Sequence, residues 1–164
     1  MKILNFISKV TLYSDRSELS NDVNHLLEMA YESARKAYSP YSHFKVGAAL
    51  LLNNGTIITG NNQENAAYPS GLCAERTAAF YASSQYPEVP FSKLAVISIH
   101  PDKPSDKPIS PCGGCRQALL EYEEKFNQNI EVILASETGD IFVFESIKKL
   151  LPFSFGSEYL PENK

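Results

Sequence analysis

The sequence predicts an α/β fold, a three-layer α/β/α sandwich with one mixed central sheet. Segments of helical periodicity alternate with short β-rich segments, in the order helix, hairpin, helix, strand, helix, strand, strand, helix. Elements in this order typically form one sheet covered by helices. The chain has 164 residues, of which 43% are hydrophobic and 21% charged. This is the length and composition of one globular domain.

The first helix and a hairpin are predicted by capping, spacing and turn residues. Ser20 is a typical N-cap, and Pro40 ends the helix because the residue before proline avoids helical geometry. The apolar residues of this helix recur at helical spacing: Val23, Leu26, Leu27, Ala30 and Ala34. Apolar segments 45–52 and 56–59 then flank an Asn-Gly pair. That pair is the strongest short-range signal for a β-hairpin.

Helices and strands alternate in the rest of the chain. Helices are predicted over 73–85 and 113–126, strands over 94–99, 130–135 and 141–144, and a helical turn over 146–151. Four prolines between 101 and 111 indicate a loop.

Residues 1–21 form an N-terminal extension, which we interpret as a strand or an arm that lies on the body of the protein. Its apolar stretch is broken by Asn5, Ser8 and Lys9, and no small-residue cleavage site follows, so we do not interpret it as a signal peptide. No apolar run approaches the ~20 residues that a membrane-spanning helix needs. The net charge of −4 lacks the basic footprint of nucleic-acid binding. We therefore expect a cytoplasmic protein without membrane or nucleic-acid partners.

The three cysteines are the main chemical signal. An odd count argues against a disulfide scaffold. Cys112 and Cys115 form a Cys-x-x-Cys pair where a helix is predicted to begin, and Cys73 opens another predicted helix. Three thiolates from two helix N-termini can converge on one Zn²⁺ ion. Three protein ligands with an open fourth position are the catalytic arrangement, in which zinc lowers the pKa of water from 15.7 to about 7.

Other interpretations of the cysteines stay open on the residues alone. Cys112 and Cys115 can form a redox pair of the thioredoxin type. A histidine can complete a closed structural zinc site of four ligands, and the chain has three candidates: His25, His43 and His100. The thiols can also be buried without any metal.

Three charged residues beside the cysteines suggest supporting roles. Glu75, two residues after Cys73, can take a proton from a water at the open position. A glutamate in the first turn of a helix is also stabilised by the helix dipole. Arg76 and Arg116 can donate hydrogen bonds to thiolate sulfurs and offset their negative charge, although each can also be a solvated surface charge.

Several segments, taken together, resemble the cytidine deaminases of the homotetrameric, all-cysteine zinc type, within the cytidine and deoxycytidylate deaminase superfamily. The Cys-x-Glu…Pro-Cys-x-x-Cys pattern of zinc deaminases is present as CAE at 73–75 and PCGGC at 111–115. The matching segments are 38–49, 60–68, 72–78, 111–117 and 150–156. The resemblance runs from about residue 22 to 156, and implies a single zinc deaminase domain over 22–164.

The resemblance implies hydrolytic deamination of cytidine and 2′-deoxycytidine to uridine and 2′-deoxyuridine plus ammonia, a reaction of pyrimidine salvage. It implies one Zn²⁺ per chain and a homotetramer in which neighbouring chains complete each site. Position by position it assigns Cys73, Cys112 and Cys115 as zinc ligands, Glu75 as proton shuttle, Asn62 and Glu64 to the ribose hydroxyls, Phe44 and Phe155 to the nucleoside, the Ala74 backbone N–H to the base, and Tyr68 to the subunit boundary.

The sequence departs from this pattern in three places. The N-terminal extension exceeds the short form of the family, Gly60-Asn61 stands where Gly-Cys is frequent, and Phe153 fills a position that is often small. A related deaminase acting on a nucleotide or on an aminonucleoside antibiotic such as blasticidin S is the alternative. Glu64 argues against a substrate phosphate nearby, because like charges repel.

Overall fold

A mixed six-stranded sheet forms the middle layer in a computed structural model that describes residues 1–100, 104 and 106–161. Residues 101–103 and 105 of the predicted loop, and 162–164 at the end of the predicted domain, lie outside the described residues. The strands are β1 (Thr11–Tyr13), β2 (Lys45–Leu52), β3 (Ile57–Asn61), β4 (Phe91–Ile99), β5 (Glu131–Ala135) and β6 (Ile141–Phe144). Their order is β1-β6-β5-β4-β2-β3, with β4 and β5 parallel and the other neighbours antiparallel.

Three α-helices cover the two faces of the sheet: α1 (Asn21–Arg35), α2 (Ala74–Gln85) and α3 (Gly113–Phe126). Successive side chains of a strand point to opposite faces. Ala48 and Leu50 of β2 therefore join the core beneath α2 and α3, whereas Ala49 joins the core beneath α1. The predicted three-layer α/β/α sandwich with a mixed sheet is confirmed.

Two glycines let the hairpin approach a helix on each face. A Cβ on Gly47 would lie 1.9 Å from the Ala30 carbonyl oxygen of α1, and a Cβ on Gly60 would lie 2.5 Å from the Ala74 carbonyl oxygen of α2. Both values are far below van der Waals contact. The second approach fixes the first turn of α2, where Cys73 and Glu75 are located, against the end of β3.

The helix and strand boundaries differ modestly from those predicted. Helix α1 ends at Arg35, before the proline signal, and β4 begins at Phe91 rather than at 94. The predicted turn over 146–151 is a 3₁₀ helix, Ile147–Leu150.

The N-terminal extension contains both a strand and an arm. Strand β1 pairs with β6 at one edge of the sheet, with Leu12 opposite Phe142. Before β1, Ser8 Oγ donates to the Lys149 carbonyl at 2.6 Å. The division between extension and domain at residue 21 stays a prediction. Among the described residues, no helix is long and apolar enough to cross a membrane.

Candidate active site

The three cysteines converge at the N-termini of α2 and α3. Cys73 is the N-cap of α2 and Cys112 the N-cap of α3, which places Cys115 in the first turn of α3. Their Sγ atoms all lie within 4.8 Å of one another, with 3.8 Å between Cys73 and Cys112 and 3.5 Å between Cys112 and Cys115. Tetrahedral zinc with Zn–S bonds of about 2.3 Å separates its sulfur ligands by about 3.8 Å. The cluster therefore fits zinc.

The cluster offers three ligands, not four. Within the described part of the chain, the ligand group consists of the three cysteines, without a histidine or carboxylate. His43 and His100 line a different cavity, beside Lys45. All three cysteines are free thiols, with sulfur separations far above the ~2.05 Å of a disulfide. A zinc ion held by these three sulfurs would keep a fourth coordination position for water or substrate.

Two interactions offset the negative charge of the cluster: the guanidinium of Arg76, and a hydrogen bond between the sulfurs of Cys73 and Cys115. Hydrogen bonding with Cys115, with the contribution of Arg76, lowers the pKa of Cys73 to about 5. The same contact with Cys73, together with burial, raises the pKa of the Cys115 thiol. Arg76 Nη2 donates to Cys73 Sγ at 3.6 Å, the contact that the sequence predicts for this residue. Ionising all three sulfurs together requires a cation between them.

The described hydrogen bonds of Arg116 go to oxygen atoms rather than to a cysteine sulfur. Its Nε donates to the Pro111 carbonyl at 2.7 Å, its Nη1 to the Leu150 carbonyl at 2.7 Å and its Nη2 to Ser110 Oγ at 2.9 Å. Oxygen acceptors at these short distances make stronger hydrogen bonds than a thiol. Arg116 instead fixes the loop that leads into Cys112.

Glu75 is a buried carboxyl group beside the cluster. It lies in the first turn of α2 and is only 4% exposed. Burial is the main cause that raises its pKa, and the negative charge of Cys73 adds to this shift. Glu75 lines the same cavity as Cys73 and Cys112.

That cavity has a volume of about 610 Å³, within the usual range for small-molecule sites. Most of the residues that the family resemblance assigns to substrate lie along it. They are Phe44, Asn62, Glu64, Tyr68 and Ala74.

Asn62 and Glu64 are both held by backbone atoms across the cavity. Asn62 Oδ1 accepts from the Val46 N–H at 2.8 Å, and its Nδ2 donates to the Phe44 carbonyl at 2.9 Å. The Glu64 carboxylate accepts from the N–H groups of Tyr41 and Ser42 and from the Ser42 hydroxyl. The Ser42 hydroxyl is the main cause that lowers the pKa of Glu64. Each side chain retains further hydrogen-bonding capacity toward a ligand.

The remaining assigned residues on the cavity present a backbone donor and two rings. Ala74 is the first residue of α2, where backbone N–H groups have no partner within the helix. The Phe44 ring meets His100 edge-on at 5.5 Å between centroids, and the exposed Tyr68 ring lies 6.2 Å from that of Tyr41.

Phe155 is not among the residues that line this cavity of its own chain. It is 59% exposed and stacks on Tyr159 at 5.5 Å. Its backbone is held by Gln117 of α3, whose Nε2 donates to the Phe155 carbonyl at 2.6 Å and whose Oε1 accepts from the Phe155 N–H.

Sequence reasoning missed two groups of supporting residues, Tyr41 with Ser42 and Gln117. Both lie inside the matching segments, 38–49 and 111–117. Their location in these segments was a signal that they matter. Their hydrogen-bond partners, Glu64 and Phe155, lie more than 20 residues away along the chain and could not be predicted.

Comparison with known proteins decides the family. The sequence model of the cytidine and deoxycytidylate deaminase zinc-binding region matches residues 20–127, which include all three cysteines and Glu75. The chain belongs to this deaminase family. Zinc is accordingly the metal of the cysteine cluster.

Relatives of this deaminase align over most of its length. The cytidine deaminase of Sporosarcina psychrophila is 42% identical over 139 residues, which are 85% of this chain and 95% of that protein. A probable cytidine deaminase of Dictyostelium discoideum is 38% identical over 134 residues, covering 82% of this chain and 84% of that protein.

Two solved structures of cytidine deaminases are also similar to this chain. The crystal structure of cytidine deaminase from Burkholderia pseudomallei has a TM-score of 0.71 at 40% identity, and the match covers 84% of this chain and all of that one. The cytidine deaminase structure from Mycobacterium tuberculosis has a TM-score of 0.64 at 33% identity, covering 84% of this chain and 99% of that one.

Proposed function

We propose that this deaminase converts cytidine and 2′-deoxycytidine to uridine and 2′-deoxyuridine plus ammonia, in the salvage of pyrimidines. The observation that carries the proposal is the buried Glu75 carboxyl, which shares one cavity with Cys73 and Cys112 of the zinc-binding cluster. The curated relatives named above are cytidine deaminases, which supports the same substrate. The cytoplasm, where thiols stay reduced, suits a site of three free cysteines.

The chemistry needs an activated water and a mobile proton. Zinc, when bound by Cys73, Cys112 and Cys115, supplies the Lewis acid that lowers the pKa of water toward ~7. Glu75 takes a proton from the water that attacks C4 of the base and delivers it to N3. Glu75 then takes the remaining proton from the hydroxyl added at C4 and passes it to the amino group. The C4–N bond breaks, the C4=O bond forms, and the amino group leaves as ammonia. Proton transfer of this kind typically contributes about 10²–10⁴-fold.

The rest of the cavity selects and orients the nucleoside. Asn62 and Glu64, already fixed by the backbone of residues 41–46, hold the ribose hydroxyls. The Ala74 N–H binds the base, and the flat face of the pyrimidine packs against the Phe44 ring. The negative charge of Glu64 disfavours a phosphate on the sugar.

The working unit in this proposal is a homotetramer with shared sites. Phe155 is not among the lining residues of the cavity of its own chain and is exposed, so its ring is available to the cavity of a neighbouring chain. Tyr68 lines the cavity and is exposed, and the proposal assigns it to the same subunit boundary. Light scattering of the zinc-loaded protein is expected to give the mass of four 18.2 kDa chains. The mass of a monomer would contradict the proposed assembly.

A substrate panel tests the proposed activity. Zinc-loaded protein is assayed by ultraviolet absorbance with cytidine, 2′-deoxycytidine, cytidine 5′-monophosphate and blasticidin S. We expect turnover of the two nucleosides and much slower turnover of the nucleotide. Preference for blasticidin S over both nucleosides would favour the alternative antibiotic deaminase. Absence of turnover with any substrate would favour a structural zinc module.

Subunit mixing tests the shared site. Glu75→Gln and Phe155→Ala chains are produced separately and then together in one cell. If Phe155 acts on a neighbouring chain, some sites of the mixed assembly combine an intact Glu75 with an intact Phe155. We expect these assemblies to regain the low KM of the unmodified protein for a fraction of their sites. A KM that equals that of the Phe155→Ala protein alone would contradict action between subunits.

A further inference from the structure

The N-terminal arm is attached to the segment that leads to Phe155. Ser8 Oγ donates to the Lys149 carbonyl at 2.6 Å, and the Phe6 ring lies 4.6 Å from the Phe153 ring. Beyond the arm, β1 pairs with β6, so the chain is anchored to the sheet directly after these contacts. The arm thus contacts the body of the protein at Lys149 and at Phe153, which are only four residues apart.

The segment from 151 to 156 has no helix or strand of its own. Its conformation depends on side chains that reach it from elsewhere. Arg116 donates to the carbonyl of Leu150, the residue directly before the segment, and Gln117 hydrogen-bonds both the N–H and the carbonyl of Phe155 within it. Both of these residues belong to α3, the helix that begins at the zinc-binding cysteines. The arm supplies the attachment at Phe153, between those two points.

The two aromatic residues of this contact, Phe6 and Phe153, both lie outside residues 20–127, where the family model matches. Phe153 is 74% exposed, so its ring is not part of the core. Its described ring contact is with Phe6. The described aromatic contact of this exposed ring is therefore with the arm.

We propose that residues 1–13 form a brace that positions segment 150–156, and through it Phe155, for nucleoside binding. The proposal rests on the proposed function, because it takes Phe155 to contact the nucleoside. Phe6 and Ser8 are positioning residues: they act on the site through Phe153 and Lys149 and do not touch substrate.

Steady-state kinetics with cytidine test this proposal. Phe6→Ala is expected to raise KM by about two- to tenfold, the range that corresponds to the loss of one aromatic pair, with kcat within about twofold. Ile7→Ala is the matched control, because Ile7 is the next residue and is 78% exposed. Phe153→Ala is expected to raise KM like Phe6→Ala, and the double variant is expected to be no worse than either single variant, because both remove the same contact. Unchanged KM in Phe6→Ala, or fully additive effects, would overturn the proposal.

Hydrogen exchange gives a readout that does not depend on substrate identity. In Phe6→Ala, and in a protein that lacks residues 1–9, amide exchange in peptides covering 150–156 is expected to speed up by about threefold or more, since the loss of a weak contact raises local opening by such factors. Peptides from α1 serve as the internal control for global unfolding. Equal exchange in all proteins would overturn the brace even if cytidine is turned over. Faster exchange without cytidine turnover would retain the brace and refute the proposed substrate.

Discussion

The guanidinium of Arg76 donates a hydrogen bond to Cys73 Sγ at 3.6 Å, from the same helix and three residues further along. Residues three apart lie on one face of a helix. The positive charge of Arg76 therefore lies beside the zinc-binding cluster. Three thiolates and one Zn²⁺ together carry a formal net charge of −1.

Removing that charge is expected to weaken zinc binding. Arg76→Gln should lower zinc affinity by about 10–100-fold, the usual effect of losing a partner of a metal ligand. Competition with a chromophoric chelator measures the affinity. Arg35→Gln is the control, since Arg35 lies on α1 and pairs with Glu32 at the surface. Equal losses in both variants would show that Arg76 has no specific effect on the metal.

The close approaches of Gly47 and Gly60 predict different consequences for alanine. Each added Cβ meets helix backbone, which cannot move aside as a flexible side chain can. Both Gly47→Ala and Gly60→Ala should lower the free energy of unfolding by about 1–3 kcal/mol or more.

Only Gly60→Ala should also impair the site, because its Cβ meets α2 at Ala74 and not the distant α1. A displacement near 1 Å of Glu75 corresponds to about a 100-fold loss of kcat/KM. Denaturant unfolding and cytidine turnover of the folded protein separate the two effects. Equal activity losses in Gly47→Ala and Gly60→Ala would contradict this assignment.

Glu64 predicts a pH-dependent stability difference. Its pKa lies below the usual value of 4.5, mainly because the Ser42 hydroxyl donates to the carboxylate. The stabilisation is fully present above about pH 5 and is lost as the pH falls through the usual pKa toward the lowered one.

Comparing the midpoint of thermal unfolding between the unmodified protein and Glu64→Gln between pH 7 and 3 measures this effect. We expect the unmodified protein to be the more stable at pH 7 and the difference to shrink below pH 4.5. Glu88→Gln, at another exposed glutamate, is the control variant. A difference that grows as the pH falls would contradict the predicted sign.

The clustering of the three cysteines could be predicted from the sequence because Cys73 and Cys112 both stand where a loop becomes a helix. The three layers of the sandwich could be predicted from the spacing of apolar residues. The alternation of side chains along a strand assigns Ala48 and Ala49 to opposite faces of the sheet. The partners of Arg116 could not be predicted, since Leu150 lies 34 residues away and sequence does not give a side chain's direction.

The pairing at the edge of the sheet and the contacts of the N-terminal arm could not be predicted from the sequence either. Strand β1 has only three residues, and its partner β6 lies some 130 positions further along. Neither local propensity nor spacing identifies such a pairing. The contact between Phe6 and Phe153 is of the same kind, because the two residues lie far apart along the chain.

The most direct test compares the unmodified protein with Glu75→Gln, each loaded with zinc, in the ultraviolet assay with cytidine. We predict that both proteins bind one zinc per chain, that the unmodified protein forms uridine, and that kcat of Glu75→Gln is lower by about 10²–10⁴-fold. Retention of zinc separates loss of proton transfer from loss of the metal site. An inactive unmodified protein, or equal kcat values in the two proteins, would contradict the assignment of cytidine deamination to Glu75 and the three-cysteine site.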